Sequence, residues 1–140
     1  MELNYAIAVV TVRVLAGVLF FFQGYDKIFN IGMRDLRETL STGINQKKLP
    51  ESVIGFIAVY TSWVELIAGF LLIIGFFKFF AISLLCLNIL IVSVGFSMSK
   101  PMWDNNLVFI RLVLLIFLLV VPQHWDVISF DHLFQLSKLR

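Results

Sequence analysis

Charge is scarce in this chain. Only 14% of its residues are Asp, Glu, Lys or Arg, and 60% are apolar. Soluble domains carry about 25% charged and about 45–50% apolar residues, so a water-facing globule is excluded. A single cysteine, Cys86, excludes an intrachain disulfide and any Cys-x-x-Cys redox motif. Set within an apolar run, it reads as a small packing residue. The two histidines, His124 and His132, lack the spacing and companions of a metal site, and neither lies inside an apolar block. No metal site and no haem-ligand pair is expected, and no cofactor is evident from side chains alone. The net charge of +2 is mild, and no basic stripe points to nucleic acid.

What is present is hydrophobicity, with a mean hydropathy of +0.95. Four apolar blocks, at about 5–24, 53–75, 79–97 and 105–122, each approach the ~20 residues that cross a ~30 Å hydrocarbon core. Backbone amides cannot stay unpaired in lipid, so the blocks are predicted to be helices. Pro50, Pro101 and Pro122 fall at block edges, where proline starts or stops a helix. The opening Met1-Glu2-Leu3-Asn4 lacks a basic region and Arg13 interrupts the first block, so that block reads as a retained helix and not a cleavable signal. The expected fold is an all-α membrane protein, a single domain over 1–140, with four transmembrane helices in an antiparallel bundle.

The connections are unequal. Phe76-Phe77-Lys78 forms a tight turn that makes helices two and three a hairpin. The long first loop holds Met33, Leu36, Arg37 and Leu40 at i, i+3, i+4 and i+7, the pattern of a short amphipathic helix, either interfacial or an ordinary solvated loop helix. Basic residues are commoner in the first and third loops (Lys27, Arg34, Arg37, Lys47, Lys48, Lys100) than opposite them (Lys78, Lys138, Arg140). That bias favours cytoplasmic first and third loops, with both termini outside. Trp63, Trp103 and Trp125, with Tyr25 and Tyr60, fit in part as interfacial anchors, and the fifteen phenylalanines read as lipid-facing bulk.

Function in such a chain is sought among ionisable residues inside apolar blocks, which cost roughly 2.5–3.5 kcal/mol each to insert and normally face a partner or cavity. These are Arg13, Glu65 and Arg111, with Asn88 as a polar companion. At about 1.5 Å rise per residue, Arg13 lies roughly 12 Å from one face and Glu65 roughly 18 Å from the other, so both are expected in one mid-membrane layer with Asn88. The faces agree. Arg13 shares a stripe with Ala6, Val10, Gly17, Phe20 and Gly24, Glu65 with Ala58, Ser62 and Gly69, and Asn88 with Ala81, Leu85, Val92 and Gly95. Small residues mark helix contacts in membranes, so the charges are expected to point inward. Arg111 is expected near Gln23, Asp26 and Lys27, neutralised by Asp26 or Asp104 or snorkelling to the interface. Two readings of the layer stand side by side: an ion pair that fixes helix register, or a site for a small anion or polar headgroup, which arginine's planar fork suits.

Three stretches resemble the DoxX family of small bacterial four-helix membrane proteins. They are Arg13-Val14-Leu15-Ala16-Gly17-Val18-Leu19-Phe20 with Gly24-Tyr25-Asp26-Lys27-Ile28-Phe29, the glutamate-led run from Glu65 to Gly75, and Ser129-Phe130-Asp131. The resemblance implies recurrent polar positions at Arg13, Lys27 and Glu65. It also implies association with thiosulfate–quinone oxidoreductase subunits or membrane redox and oxidative-stress complexes. The chain departs from the pattern in its long charged first loop, in Val120-Val121-Pro122 where a glycine is usual, and in Arg111. The function expected is a subunit of a redox-linked membrane assembly. Its candidate ligand residues are Arg13, Glu65, Asn88, Arg111, Gln23 and Lys27, and its ligand is a small anion or a quinone headgroup. Electrons would come from a partner. The competing expectation is a non-catalytic accessory subunit with a structural polar layer. Lipid bilayer and a protein partner or homo-oligomer are the expected contacts.

Overall fold

The computed structural model describes residues 2–44, 50–99, 106–122, 125, 126, 129 and 131. His124, His132, Trp103 and Asp104 lie outside them. Among the described residues all regular structure is helical: α1 (Glu2–Tyr25), a π-helical segment (Asp26–Ile31), α2 (Met33–Ile44), α3 (Glu51–Ile74), α4 (Lys78–Ser99) and α5 (Asn106–Val120).

Three stretches are long and apolar enough to cross a membrane: Leu3–Ile31, Glu51–Ile74 and Lys78–Gly95. The chain is a membrane protein with several apolar helices. Its surface agrees: Leu3, Phe56, Phe79, Phe80, Leu90 and Val113 are each more than half exposed, an apolar skin far beyond the patches a soluble monomer shows. Two expected boundaries shift. The first apolar block does not end near residue 24 but runs on through the π turn, because Ile28, Phe29 and Ile31 continue the hydrophobic run. Among the described residues the fourth block forms the 15-residue α5, which rises about 22 Å. In the first loop, α2 forms where the heptad-like pattern placed a helix, with Met33, Leu36 and Leu40 half-buried and Arg34, Asp35 and Glu38 outward.

The core runs through Phe20 of α1, Leu72 of α3, Ile82 and Leu85 of α4 and Leu115 of α5, with Cys86 packed at its margin. The broadest helix contact joins α1 to α3, which pack antiparallel. Their backbones touch. A Cβ on Gly69 would fall 2.5 Å from the Phe21 amide nitrogen, and one on Gly24 2.5 Å from that of Leu66. Such contacts replace the hydrophobic drive that lipid cannot supply between helices. They also lock the axial register of α1 on α3.

The α3–α4 turn begins at Gly75, whose left-handed backbone (φ 72°) ends α3 with its N–H donating to the Leu71 carbonyl, the usual glycine helix stop. Phe77 follows at φ 47°, and α4 starts at Lys78.

Candidate polar sites

The three inward stripes are buried as their spacing requires: Arg13 is 3% exposed, Glu65 2% and Asn88 0%. Their meeting is different from the single layer expected. Arg13 does not meet Glu65. Glycine contacts place Gln23, not Arg13, beside Glu65, and bring Arg13 to Gly75, ten residues beyond Glu65 on α3. That offset is roughly 15 Å along the helix. A shared depth would require apolar blocks that start flush with the membrane faces. Register is instead set where backbones can touch, and α1 extends past its expected end. The polar residues therefore divide into two clusters.

The first is centred on Glu65. The Lys27 ammonium, carried on the π turn, donates to Glu65 Oε2 at 2.7 Å. Asn88 Nδ2, from α4, donates to Glu65 Oε1 at 3.1 Å. Arg111 of α5 acts electrostatically on the same carboxylate. Asp26, one of the expected partners of Arg111, takes the amide of Asn30 one turn later, and Asp104, the other, lies outside the described residues. Hydrogen bonds join three chain segments here, and the field of a second cation, Arg111, reaches the same carboxylate. The amide of Asn88 is oriented by its bond to Glu65, which leaves Asn88 Oδ1 buried with no hydrogen-bond donor among the described residues. Gln23 Oε1 is in the same condition. A buried carbonyl oxygen left so costs about 1–3 kcal/mol, and a ligand bearing an O–H would remove that cost.

The second cluster is centred on Asp126, in the segment after α5 and fully buried. Its Oδ2 accepts from Arg13 Nη1 at 3.2 Å and from Lys78 Nζ at 2.8 Å. Gly75 makes room: a Cβ there would collide with the Arg13 guanidinium. Ser129 Oγ donates to the Asp126 carbonyl at 3.0 Å. Asp131 accepts the Phe77 and Lys78 backbone amides on its two carboxylate oxygens, both at 2.9 Å, and its own N–H donates to the Gly75 carbonyl at 3.1 Å. It caps α4 from a distance of more than fifty residues in sequence. Tyr5 stacks on Trp125, ring centroids 4.5 Å apart. Together these contacts clasp the chain after α5 to the α3–α4 turn and to α1.

Of the six expected ligand residues, Glu65, Asn88 and Lys27 are hydrogen-bonded together, Arg111 acts on Glu65 electrostatically, Gln23 stands at the same level on α1, and Arg13 belongs to the other cluster. Asp126 and Lys78 were missed by sequence reasoning. Lys78 counted only as a loop charge, and Asp126 lies outside every apolar block. The sole pointer to either was the Ser129-x-Asp131 triplet three residues on.

Comparison with curated proteins and with solved structures gives no match. Residues 8–97 match the family model described as DoxX. The matched stretch contains Arg13, Lys27, Glu65, Lys78 and Asn88, the helix-borne members of both clusters apart from Arg111. On that match, which covers well over half of its length, the chain belongs to the DoxX family.

Proposed function

We propose that this protein is a subunit of a redox-linked membrane assembly and that the Glu65 cluster seats a quinone headgroup or a small anion. In this reading α1, α3, α4 and α5 with its flanks form an antiparallel four-helix bundle in a bacterial inner membrane. The amphipathic α2 lies at the interface, and the first and third loops face the cytoplasm. The observation that carries the reading is the composition of the cluster: Lys27 and the field of Arg111 against the single carboxylate of Glu65, with the donor-less oxygen of Asn88 bonded into the same group and that of Gln23 at the same level on α1. The cations match an accepting oxygen, and the amide oxygens match a donating hydroxyl. A headgroup that alternates between carbonyl and hydroxyl satisfies both kinds of partner, whereas a simple anion satisfies only the cations. Lys27, Arg111 and Asn88 would hold it, and Glu65 keeps Lys27 and Asn88 in place. A bound quinone would supply two-electron chemistry that the chain's own side chains lack, with a partner as electron source.

The test is solvent extraction of the purified protein followed by chromatography. The wild type is expected to carry quinone in near-stoichiometric amount. Arg111→Gln and Lys27→Gln are each expected to lower that content about tenfold, the loss of one charge-assisted hydrogen bond. Wild-type protein free of quinone and indifferent to added anions would refute the site. That result would favour the second reading, a non-catalytic accessory subunit, which the structural use of charge around Asp126 supports.

A further inference from the structure

A groove of about 610 Å³ lies between α2 and the first turns of α3, away from both clusters. Its volume is that of a ligand pocket. Three charged groups line it: Arg37 and Glu38 of α2, and Glu51 of α3. Among the described residues none of the three is in an ion pair. Arg37 is exposed and lies over Gly55. Its Nε and Cζ lie 3.4 and 3.5 Å from where a Cβ on Gly55 would stand, so the guanidinium lies along the bare backbone of α3. Beside the charges, Ile54, Phe56 and Val59 line the same groove, and Phe56 is 70% exposed. An amphipathic helix meets the start of a spanning helix here, and on the reading that lays α2 at the interface the polar and apolar halves of the groove divide where a lipid headgroup joins its acyl chains.

We propose that this groove seats a zwitterionic phospholipid whose headgroup carries a primary ammonium. One guanidinium and two carboxylates complement one phosphate and one ammonium. Arg37 matches phosphate oxygens with its planar fork, and Glu38 and Glu51 accept from the ammonium. The glycerol and the upper acyl chain lie on Phe56 and Val59. A headgroup with only negative charge meets two carboxylates against one cation and is disfavoured. A trimethylated ammonium has no N–H to donate and binds more weakly.

The experiment uses full-length protein in vesicles of equimolar phosphatidylethanolamine, phosphatidylcholine and phosphatidylglycerol, extracted in mild detergent, with retained lipid read by native mass spectrometry. The wild type is expected to retain phosphatidylethanolamine about tenfold over phosphatidylglycerol, the ratio set by one charge-assisted hydrogen bond. Arg37→Gln is expected to reduce retention of all three lipids to the level of bulk carryover. The double variant Glu38→Gln with Glu51→Gln is expected to reverse the preference toward phosphatidylglycerol, a gain that misfolding cannot mimic. Quinone content of the same samples should not move, because none of these residues touches the Glu65 cluster. The proposal is overturned by equal retention of the three lipids in the wild type or by an unchanged preference in the double variant. It is overturned equally by a lipid-free wild type whose mass shows a second copy or a protein on this face.

Discussion

The two polar clusters share a composition, two cations to one buried carboxylate, and differ in what holds them. Glu65 sits in mid-helix and gathers partners from the π turn, α4 and α5. Asp126 sits outside the helices and draws its own segment onto α1 and the α3–α4 turn, reinforced by Ser129 and Asp131. In the first, both carboxylate oxygens are engaged and the donor-less atoms are neutral amide oxygens. In the second, removal of the carboxylate would release a whole chain segment. Each cluster keeps a buried oxygen with no donor among the described residues, Asn88 Oδ1 in the first and Asp126 Oδ1 in the second, so equal charge inventories differ in what they join: helices within the bundle in one, the segment beyond α5 with the α3–α4 turn in the other.

Asp126→Ala is the strongest challenge to this contrast. It removes the buried carboxylate that Arg13 and Lys78 share, and breaking a buried pair costs about 3–5 kcal/mol. Thermal denaturation in detergent should show a large drop in midpoint, and reversing the pair (Arg13→Asp with Asp126→Arg) should recover part of it. The same reversal at Arg13 and Glu65, which do not meet, should recover nothing. Recovery there would return the polar residues to a single layer.

Glu65→Gln is expected to act less on stability, on the order of 1–3 kcal/mol, the cost of a hydrogen bond to a charged group. Lys27 is 18% exposed and can turn toward the interface. Its larger effect should fall on quinone content, because Lys27 and Asn88 lose the group that aims them. If stability falls as far as in Asp126→Ala and quinone content is unchanged, the two clusters do the same job. The smallest effect belongs to Asp131→Ala. It removes the side-chain cap of α4 and should cost about 1 kcal/mol, visible as faster amide exchange at Phe77 and Lys78 with the Glu65 cluster unaffected.

Much of the candidate site was legible in the order of the residues. Arg13, Glu65 and Asn88 stood on stripes with small residues, and each is buried. The reason is general: in lipid an ionised group has nowhere favourable to point except inward. Pairing was not legible. Charge type and estimated depth made Arg13 and Glu65 natural partners, and neither consideration could register that Gly24 and Gly69 slide α1 along α3 until backbones touch. Nor could hydropathy mark Asp126, which looks like an ordinary acid after a helix until the chain folds back and buries it. Asp131 shows the converse, since the triplet it closes was recognisable by resemblance while its work, capping α4, depends on contacts more than fifty residues away.

Composition and periodicity alone dictated an all-helical membrane protein, the inward faces of its helices, and the amphipathic helix in the first loop, because each follows from how water and lipid sort side chains along one segment. Which charge meets which was decided only by the assembled helices. That choice rests on a few ångströms of axial register and on the path of the segment beyond α5, and both are fixed by contacts between parts of the chain that no local pattern connects.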